Sequence, residues 1–142
     1  MAVLKQITEI MENWFINYDG VNEITKGDAS EIDLTTITNF PLVHIVYLNT
    51  GYANSYSTIN YQVYLLDTYY ENDDNKLDIL DNMNEVATQF VSACNNGSIY
   101  NSQIRLNADP TGVIQYDQLK NRLYGISLNI SLNKPNGLVN CG

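Results

Sequence analysis

Residues 125–132 alternate strictly between polar and apolar side chains, with Ile126, Leu128, Ile130 and Leu132 at every second position. Successive side chains of a β-strand point to opposite faces, so this alternation predicts a strand with one buried face and one polar face. Such a strand requires neighbouring strands and a second layer that covers its apolar face. The chain is therefore predicted to build its core on a β-sheet.

Four other segments predict strands. The first is almost continuously apolar, which is typical of a strand buried on nearly both faces, and the second alternates over an unusually long stretch. The last two are short and flank a turn that contains Pro110. The segments are 40–48, 58–70, 99–106 and 113–116.

Two segments place apolar residues three and four positions apart, which is the spacing of one helical face. They are residues 3–18 and residues 76–94, and each is followed by a glycine-containing stop. The order of helices and strands predicts an α+β fold, a mainly antiparallel sheet with two amphipathic helices packed on one face. We expect the 142 residues to form one domain, 1–142.

Two segments show no helical or strand period. Residues 19–39 carry scattered acids, and we predict an extended arm ordered by a neighbouring molecule, with a loose surface loop as the open alternative. Residues 49–57 consist of turn-forming residues. They are predicted to form a projecting loop that is too long for a tight hairpin.

The chain has a formal net charge of -9, and this charge is unevenly distributed. Residues 1–85 hold fourteen acids and three bases, whereas residues 86–142 hold two acids and four bases. A negative surface repels phosphate, which argues against ordinary DNA or RNA binding. If the acidic and basic parts lie on different faces, copies of the chain can attract each other head to tail.

Residue types that carry catalysis or metal binding are sparse. His44 is the only histidine and lies in the most apolar predicted strand, which favours a structural role. The acids within residues 73–81 lack the glycine and the terminal glutamate of a calcium loop, and helix capping explains them. The sequence contains no motif of a phosphate-binding loop, a nucleophile elbow or a zinc protease. We expect no catalytic residue, metal or cofactor, and an acid–base enzyme using scattered carboxylates is the least favoured interpretation.

Tyrosine is unusually frequent, with 11 residues against one tryptophan and three phenylalanines. Ordinary sheet composition explains part of this number, but tyrosine also suits protein interfaces because it offers a large contact area and a polar tip. We therefore predict an oligomer interface that uses the arm, the projecting loop and the end of the long second strand. The candidates are Asp28, Glu31, Asp33, Tyr52, Tyr56, Tyr69 and Tyr70.

The order of elements and several short strings resemble a known family. The matching pieces are the N-terminal helix, Phe40-Pro41-Leu42-Val43, Tyr69-Tyr70-Glu71, the helix of residues 77–94 and the closing strand of residues 123–130. In these pieces the chain resembles the tail terminator and tail-completion family, the neck ring proteins of tailed bacteriophages. Its asparagine- and tyrosine-rich composition is similar to that of neck proteins of crAss-like phages.

The resemblance implies a structural virion protein without enzymatic activity or cofactor. Copies would form a homo-oligomeric ring of six or twelve subunits in the neck or tail, next to portal, connector or tail proteins. DNA would pass through the central channel without specific binding. The protein would be made in the cytoplasm of the host bacterium, have no membrane contact and end in the virion. The alternative is a small acidic domain that binds or regulates proteins as a monomer or dimer.

The negative charge of the chain and its long strands and arms both suit such a ring around DNA. Acidic groups that line a channel keep DNA from binding, because tight non-specific binding needs phosphate contacts with lysine and arginine. Long strands and unpatterned arms are elements that can add to the sheet edge of a neighbour.

Overall fold

A computed structural model of the chain describes residues 3–27, 41–68, 75–97, 99–100, 104–116 and 123–135. Within these residues the chain forms two α-helices and six β-strands. In chain order they are α1 (Val3–Ile16), β1 (Glu23–Lys26), β2 (Leu42–Tyr52), β3 (Tyr56–Thr68), α2 (Lys76–Asn95), β4 (Arg105–Leu106), β5 (Gly112–Tyr116) and β6 (Leu123–Pro135).

The six strands form one sheet in the order β1-β2-β3-β6-β4, and β5 also pairs with β6. β1 runs parallel to β2, and every other pair is antiparallel. β3 and β6 are paired along their whole lengths, from Tyr56 opposite Pro135 to Thr68 opposite Leu123. This long central pair is the frame on which the other elements pack.

Both helices cover the same face of the sheet. α1 contributes Ile7, Met11 and Phe15 to the core, and their spacing of four residues places them along one side of the helix. α2 buries a second stripe that includes Met83 and Phe90. The predicted α+β fold, with two amphipathic helices on one face of a mainly antiparallel sheet, is confirmed. The sheet residues of this core are Val43, Ile45, Ile59, Tyr61, Val63, Leu65, Ile126, Leu128, Ile130 and Leu132.

Aromatic rings join the two helices. Phe15 of α1 stacks on Phe90 of α2 with ring centroids 4.8 Å apart. Trp14 meets the ring of Phe90 edge-on at 5.3 Å and stacks on Tyr18 at 5.2 Å. Aromatic pairs at these separations stabilise a core beyond their buried area, so this cluster holds α1 and α2 in a fixed relation above the sheet.

The first part of the predicted arm is a strand of the sheet. β1 pairs in parallel with Leu42–Ile45 of β2, so the prediction of an arm over 19–39 is wrong for this stretch. Lys26 at the end of β1 also forms a salt bridge with Glu12 of α1, with Nζ and Oε1 3.1 Å apart. Four residues are too few to show a period in the sequence, and their partner strand is distant in the chain. Residues 28–39 of the predicted arm lie outside the described residues.

The predicted projecting loop over 49–57 is instead part of a tight hairpin. β2 and β3 pair up to its tip, where the N–H of Ala53 donates to the carbonyl of Tyr56 at 3.0 Å. Only Ala53, Asn54 and Ser55 lie between the two strands. The prediction of a connection too long for a tight hairpin is therefore wrong. Small polar residues suit a turn and a strand face equally well, and here cross-strand pairing decides for the strand.

The predicted strand over 99–106 is wrong at its start. Only Arg105–Leu106 forms β4, while Ile99 and Tyr100 lie in a bend. Tyr100 is buried and its hydroxyl donates a hydrogen bond of 2.9 Å to the carbonyl of Ile7 in α1. The apolar character of Tyr100 therefore reflects packing against α1, not strand pairing.

Candidate interaction surface

The sheet face that is turned away from the helices carries uncharged polar side chains in its centre. We call this surface the polar face. Because directly opposite residues of an antiparallel pair point to the same side, the register of β2, β3 and β6 defines its members. Its polar members that are at least partly exposed are Asn49, Thr58, Asn60, Gln62, Tyr64, Asn129, Ser131 and Asn133, and buried His44 and Ser127 lie on the same side.

Hydrogen bonds connect the polar face across three strands. Asn60 is at the centre, since its Nδ2 donates to Asn49 Oδ1 at 2.7 Å and its Oδ1 accepts from Ser131 Oγ at 2.7 Å. In the neighbouring row Thr58 Oγ1 donates to Asn133 Oδ1 at 2.8 Å. Side chains bonded to each other in this way keep a fixed orientation, so the polar face is rigid as well as uncharged.

The long strands are almost free of charge. β2 and β5 contain no aspartate, glutamate, lysine or arginine, β3 contains only Asp67 of these four types and β6 contains only Lys134, while the one histidine, His44, is buried in β2. The helices differ, since α2 carries Asp78, Asp81 and Glu85 at exposed positions. In a chain with a net charge of -9, copies can therefore approach each other with least repulsion through the sheet.

Besides the outer sides of the short strands β1 and β4, two longer parts of the sheet border have no neighbouring strand among the described residues. On one side β1 covers only Leu42–Ile45 of β2, and we call the uncovered remainder, Val46–Tyr52, the β2 edge. On the opposite side β5, Gly112–Tyr116, pairs with β6 and with no other described strand, and we call its outer side the β5 edge. A strand at a sheet border presents N–H and C=O groups to any strand that approaches.

Apolar side chains are exposed at both edges. On β5, Val113 is 52% exposed and Ile114 is 48% exposed, and the two point to opposite faces of the sheet. On β2, Leu48 is 46% exposed and Tyr52 is 84% exposed. Single exposed apolar residues are normal on a protein surface. Here, however, they coincide with uncharged strands whose outer side has no described partner.

The described residues include two of the seven predicted interface candidates, Tyr52 and Tyr56. Both are exposed at the tip of the β2–β3 hairpin. They point to opposite faces of the sheet, because Tyr52 is opposite Ser57, which directly follows Tyr56 in β3. The remaining candidates, Asp28, Glu31, Asp33, Tyr69 and Tyr70, lie outside the described residues.

His44 is fully buried in β2. Its Nδ1 lies 2.6 Å from Oγ1 of Thr25 on β1, which is within hydrogen-bond distance. The two residues are also opposite each other in the β1–β2 register, so this bond helps to hold the short parallel strand in place.

An open groove of about 620 Å³ lies between the end of α1 and the middle of α2. Its lining includes Tyr18, Asp19, Pro41 and Glu85. Burial raises the pKa of Tyr18, and the negative charges of Glu85 and Asp19 raise it further. The described part of the chain contains no group of three side chains that could hold a metal ion. The groove thus combines a tyrosine hydroxyl with two carboxylates and shows no further constellation.

Cys94 is a buried free thiol on α2. Burial raises the pKa of this thiol to about 12, so it is protonated at neutral pH. A protonated and buried thiol is a poor nucleophile, and Cys94 acts as a small apolar core residue.

Comparison with protein-family models and with curated proteins finds no match to this chain. Among the described residues, neither helix has the length and the apolar character that a membrane span requires.

The sequence interpretation missed both open edges. Whether a strand has one neighbour or two depends on pairing with distant residues, which no local pattern reveals. A partial signal was present in the charge distribution, since residues 34–66 and 123–133 contain none of the sixteen acids and seven bases of the chain.

Proposed function

We propose that this chain is a structural subunit of a ring in the neck or tail of a tailed bacteriophage. Copies would surround the DNA channel and join the portal or connector to the tail. The observation that carries the proposal is the nearly charge-free sheet with two unlike open edges on opposite sides, the β2 edge and the β5 edge.

Two unlike edges favour a ring over a simple dimer. A contact between two different patches is heterologous, and its repetition forms a ring when the rotation between successive copies closes. A single self-complementary patch would give a two-fold dimer instead. Because the β2 edge and the β5 edge differ in length and sequence, each copy can bind two others, one at each side.

The charge of the chain suits a channel through which DNA moves. Tight non-specific DNA binding requires lysine and arginine contacts to phosphate. The net charge of -9 and the exposed acids of α2 oppose such contacts, and a ring multiplies this charge by its number of copies. The resemblance of the element order to tail terminator and tail-completion proteins is what brings a phage particle into the proposal.

The protein content of purified phage particles and their electron-microscopy density test the proposal. In a phage that encodes this chain, we expect mass spectrometry to find the chain in purified particles. Electron cryomicroscopy is expected to show a ring of density around the DNA in the neck or tail, into which the sheet and two helices fit. If purified particles lack the chain, or if its residues line the channel with positive charge, the proposal is wrong.

A monomer or dimer outside any particle would support a small acidic protein-binding domain instead. Such a domain would offer its open edges to other proteins rather than to copies of itself. Pull-down of the chain with purified portal, connector and tail proteins of the same phage separates the two functions, because only a neck protein is expected to bind them.

A further inference from the structure

The geometry of the two open edges points to a specific contact between copies. We propose that the β5 edge of one copy pairs antiparallel with the β2 edge of the next copy, so that the sheets join head to tail. This inference rests on self-assembly, which is part of the proposed function, and adds the surfaces that carry it. The occupant of each edge is a second copy of this chain.

The two sheet borders differ in how they are protected from pairing with other strands. Natural edge strands avoid unwanted pairing by being very short or by carrying charge. β1 follows this rule, since it has four residues and two of them, Glu23 and Lys26, are charged. β5 does not, since Gly-Val-Ile-Gln-Tyr contains no charge and no proline. Because β5 lacks these protective features and half-exposes Val113 and Ile114, we expect it to have a strand partner in the assembled protein.

Strand direction also favours pairing of the β5 edge with the β2 edge of the next copy. β2 is antiparallel to β3, β3 to β6, and β6 to β5, so β5 runs opposite to β2 within one copy. When the next copy has the same orientation, its β2 edge meets the β5 edge of the first copy in antiparallel fashion. Head-to-tail joining therefore continues the antiparallel order of the sheet without a reversal of any copy.

The β2 border has room for a further strand. β1 occupies the Leu42–Ile45 half of this border, and the other half, Val46–Tyr52, has seven residues beside which no described strand lies, enough for a strand of five. β4 lies along β6 beyond β5, next to Asn133, which is the hairpin end of the sheet. An arriving β5 that lies beside Val46–Tyr52 would thus carry its β4 past the hairpin tip, away from β1.

The registers give an estimate of how the strands would tilt in a closed ring. Val113 of β5 is level with Tyr64 through Ser127, while the centre of the β2 edge, Asn49, is level with Asn60, and both Val113 and Asn49 lie on the polar face. This offset of four residues corresponds to about 14 Å along the strands, against about 19 Å across four strand spacings. A ring without axial drift then requires a strand tilt of about 35°, which is within the range of closed sheets.

The absence of charge on both edges favours their contact. Neither edge contains an acid or a base, so their contact brings no like charges together, although each copy carries -9. The helices and their exposed acids are not needed for the contact. Charge therefore disfavours contact through the helices and leaves contact through the sheet edges unopposed.

Paired edge variants test the inference. Ile114→Lys places a charge on the β5 edge and Leu48→Lys places one on the β2 edge, where a strand partner would have to bury it. Leu77→Lys on α2 is the matched control, because Leu77 is an apolar residue that is 75% exposed and lies on a helix. All three variants lower the negative charge by the same amount, so a loss of assembly cannot come from increased repulsion. Circular dichroism checks that each variant is folded.

Sedimentation velocity over a wide concentration range is the measurement. We expect the unmodified chain and Leu77→Lys to assemble beyond the dimer, and each edge variant alone to remain monomeric. A mixture of Ile114→Lys and Leu48→Lys is expected to form one-to-one dimers and nothing larger, because one intact edge remains on each partner. This recovery on mixing also shows that both variants are folded.

Several outcomes would overturn the inference. They are a monomeric unmodified chain at every concentration, edge variants that assemble like the unmodified chain, and dimers of Leu48→Lys alone. The last result would mean that two β5 edges pair with each other. None of them decides whether the chain is present in phage particles, so failure of this contact and failure of the proposed function are distinguishable.

A cross-linking variant provides a second readout if an edge lysine prevents folding. Asn49→Cys combined with Val113→Cys, in a background with Cys141→Ser, places one thiol on each edge, and both thiols lie on the polar face. A short bifunctional thiol reagent is expected to give a ladder of covalent oligomers from the double variant, and dimers at most from either single variant. Cys94 should not react in the folded protein, because it is buried. Absence of the ladder would contradict the inference.

Discussion

Individual buried hydroxyl groups connect α1 to the rest of the molecule. Tyr100 donates to the carbonyl of Ile7, and Thr8 Oγ1 lies 2.8 Å from the hydroxyl of Tyr61 on β3. Both tyrosines are almost completely buried. A buried polar group that loses its partner costs more free energy than the bond itself contributes, so these contacts fix where the helix sits on the sheet.

Tyr100→Phe is expected to lower the free energy of unfolding by about 1–3 kcal/mol, since it leaves the Ile7 carbonyl with one partner fewer in a buried place. Tyr52→Phe is the matched control, because Tyr52 is 84% exposed. The control is expected to change stability by less than about 0.5 kcal/mol. Urea unfolding followed by circular dichroism measures both, and equal effects of the two substitutions would contradict the role of Tyr100.

Asp67 is expected to make stability depend on pH. Burial raises the pKa of this carboxyl in the folded chain above its ordinary value of 3.8, although a bond from the N–H of Thr68 lowers it in part. A raised folded pKa means that the folded state holds the proton more tightly than the unfolded state. The contribution of Asp67 to stability is therefore greatest below pH 3.8 and is lost as the pH rises through the folded pKa.

Asp67→Asn removes this titration while its side-chain oxygen can still accept the Thr68 N–H. We expect the variant to be more stable than the unmodified chain at neutral pH and the difference to vanish at acidic pH. Thermal unfolding of both proteins across this pH range is the measurement. A difference that grows as the pH falls would show that the carboxylate is stabilising, contrary to the prediction.

At the level of elements, the closely packed β3–β6 pair is the least tolerant part of the sheet. Gly125 in β6 is opposite Leu66, and a Cβ at this position would overlap the carbonyl oxygen of Leu65. Backbone atoms cannot move aside without breaking the strand pairing. The glycine therefore allows the two strands to approach where the alternating pattern of β6 begins.

Gly125→Ala is expected to destabilise the fold by at least about 2 kcal/mol because the new methyl group is forced into the backbone of β3. Gly51→Ala in β2 is the control, since the nearest atom to its Cβ would be the Thr58 carbonyl oxygen at 4.0 Å. Both changes replace a strand glycine by alanine, so their effects on the unfolded chain are similar. Chemical unfolding that ranks the two variants in the opposite order would contradict this account.

For the whole molecule, the distribution of charge matters more than its sum. Among the described residues, most carboxylates lie on the two helices, while the long strands hold one carboxylate, Asp67, and one lysine, Lys134, besides the buried His44. This separation gives the chain one surface type that repels phosphate and another that can contact uncharged strands. A ring that surrounds DNA without binding it needs both the surface that repels phosphate and the surface that contacts other copies.

The chain is expected not to bind duplex DNA, even at low salt where phosphate contacts are strongest. Fluorescence anisotropy of a labelled duplex measures this for the chain alone and for any assembled form. Binding that weakens steeply as salt is added would reveal a basic surface and would contradict the proposed channel.

Local patterns were sufficient for most of the elements. The helical spacing in residues 3–18 and 76–94 and the alternation in residues 125–132 each predicted an element of the right type, because a side chain's position along a helix or strand decides whether it faces the core. The same patterns predicted the α+β class, since both helices and the sheet have an apolar side that must be covered.

Non-local pairing decided the rest. β1 exists because it lies against β2, the hairpin tip is tight because β2 and β3 pair as far as Ala53, and the two open edges exist because no described strand lies beside them. Of the predicted interface residues, Tyr52 and Tyr56 are exposed at that tip, but their sequence did not show that they point to opposite faces. The side chains of a strand determine which of its faces is buried. Whether its edges are paired depends on the residues that fold beside it, and these become neighbours only in the tertiary structure.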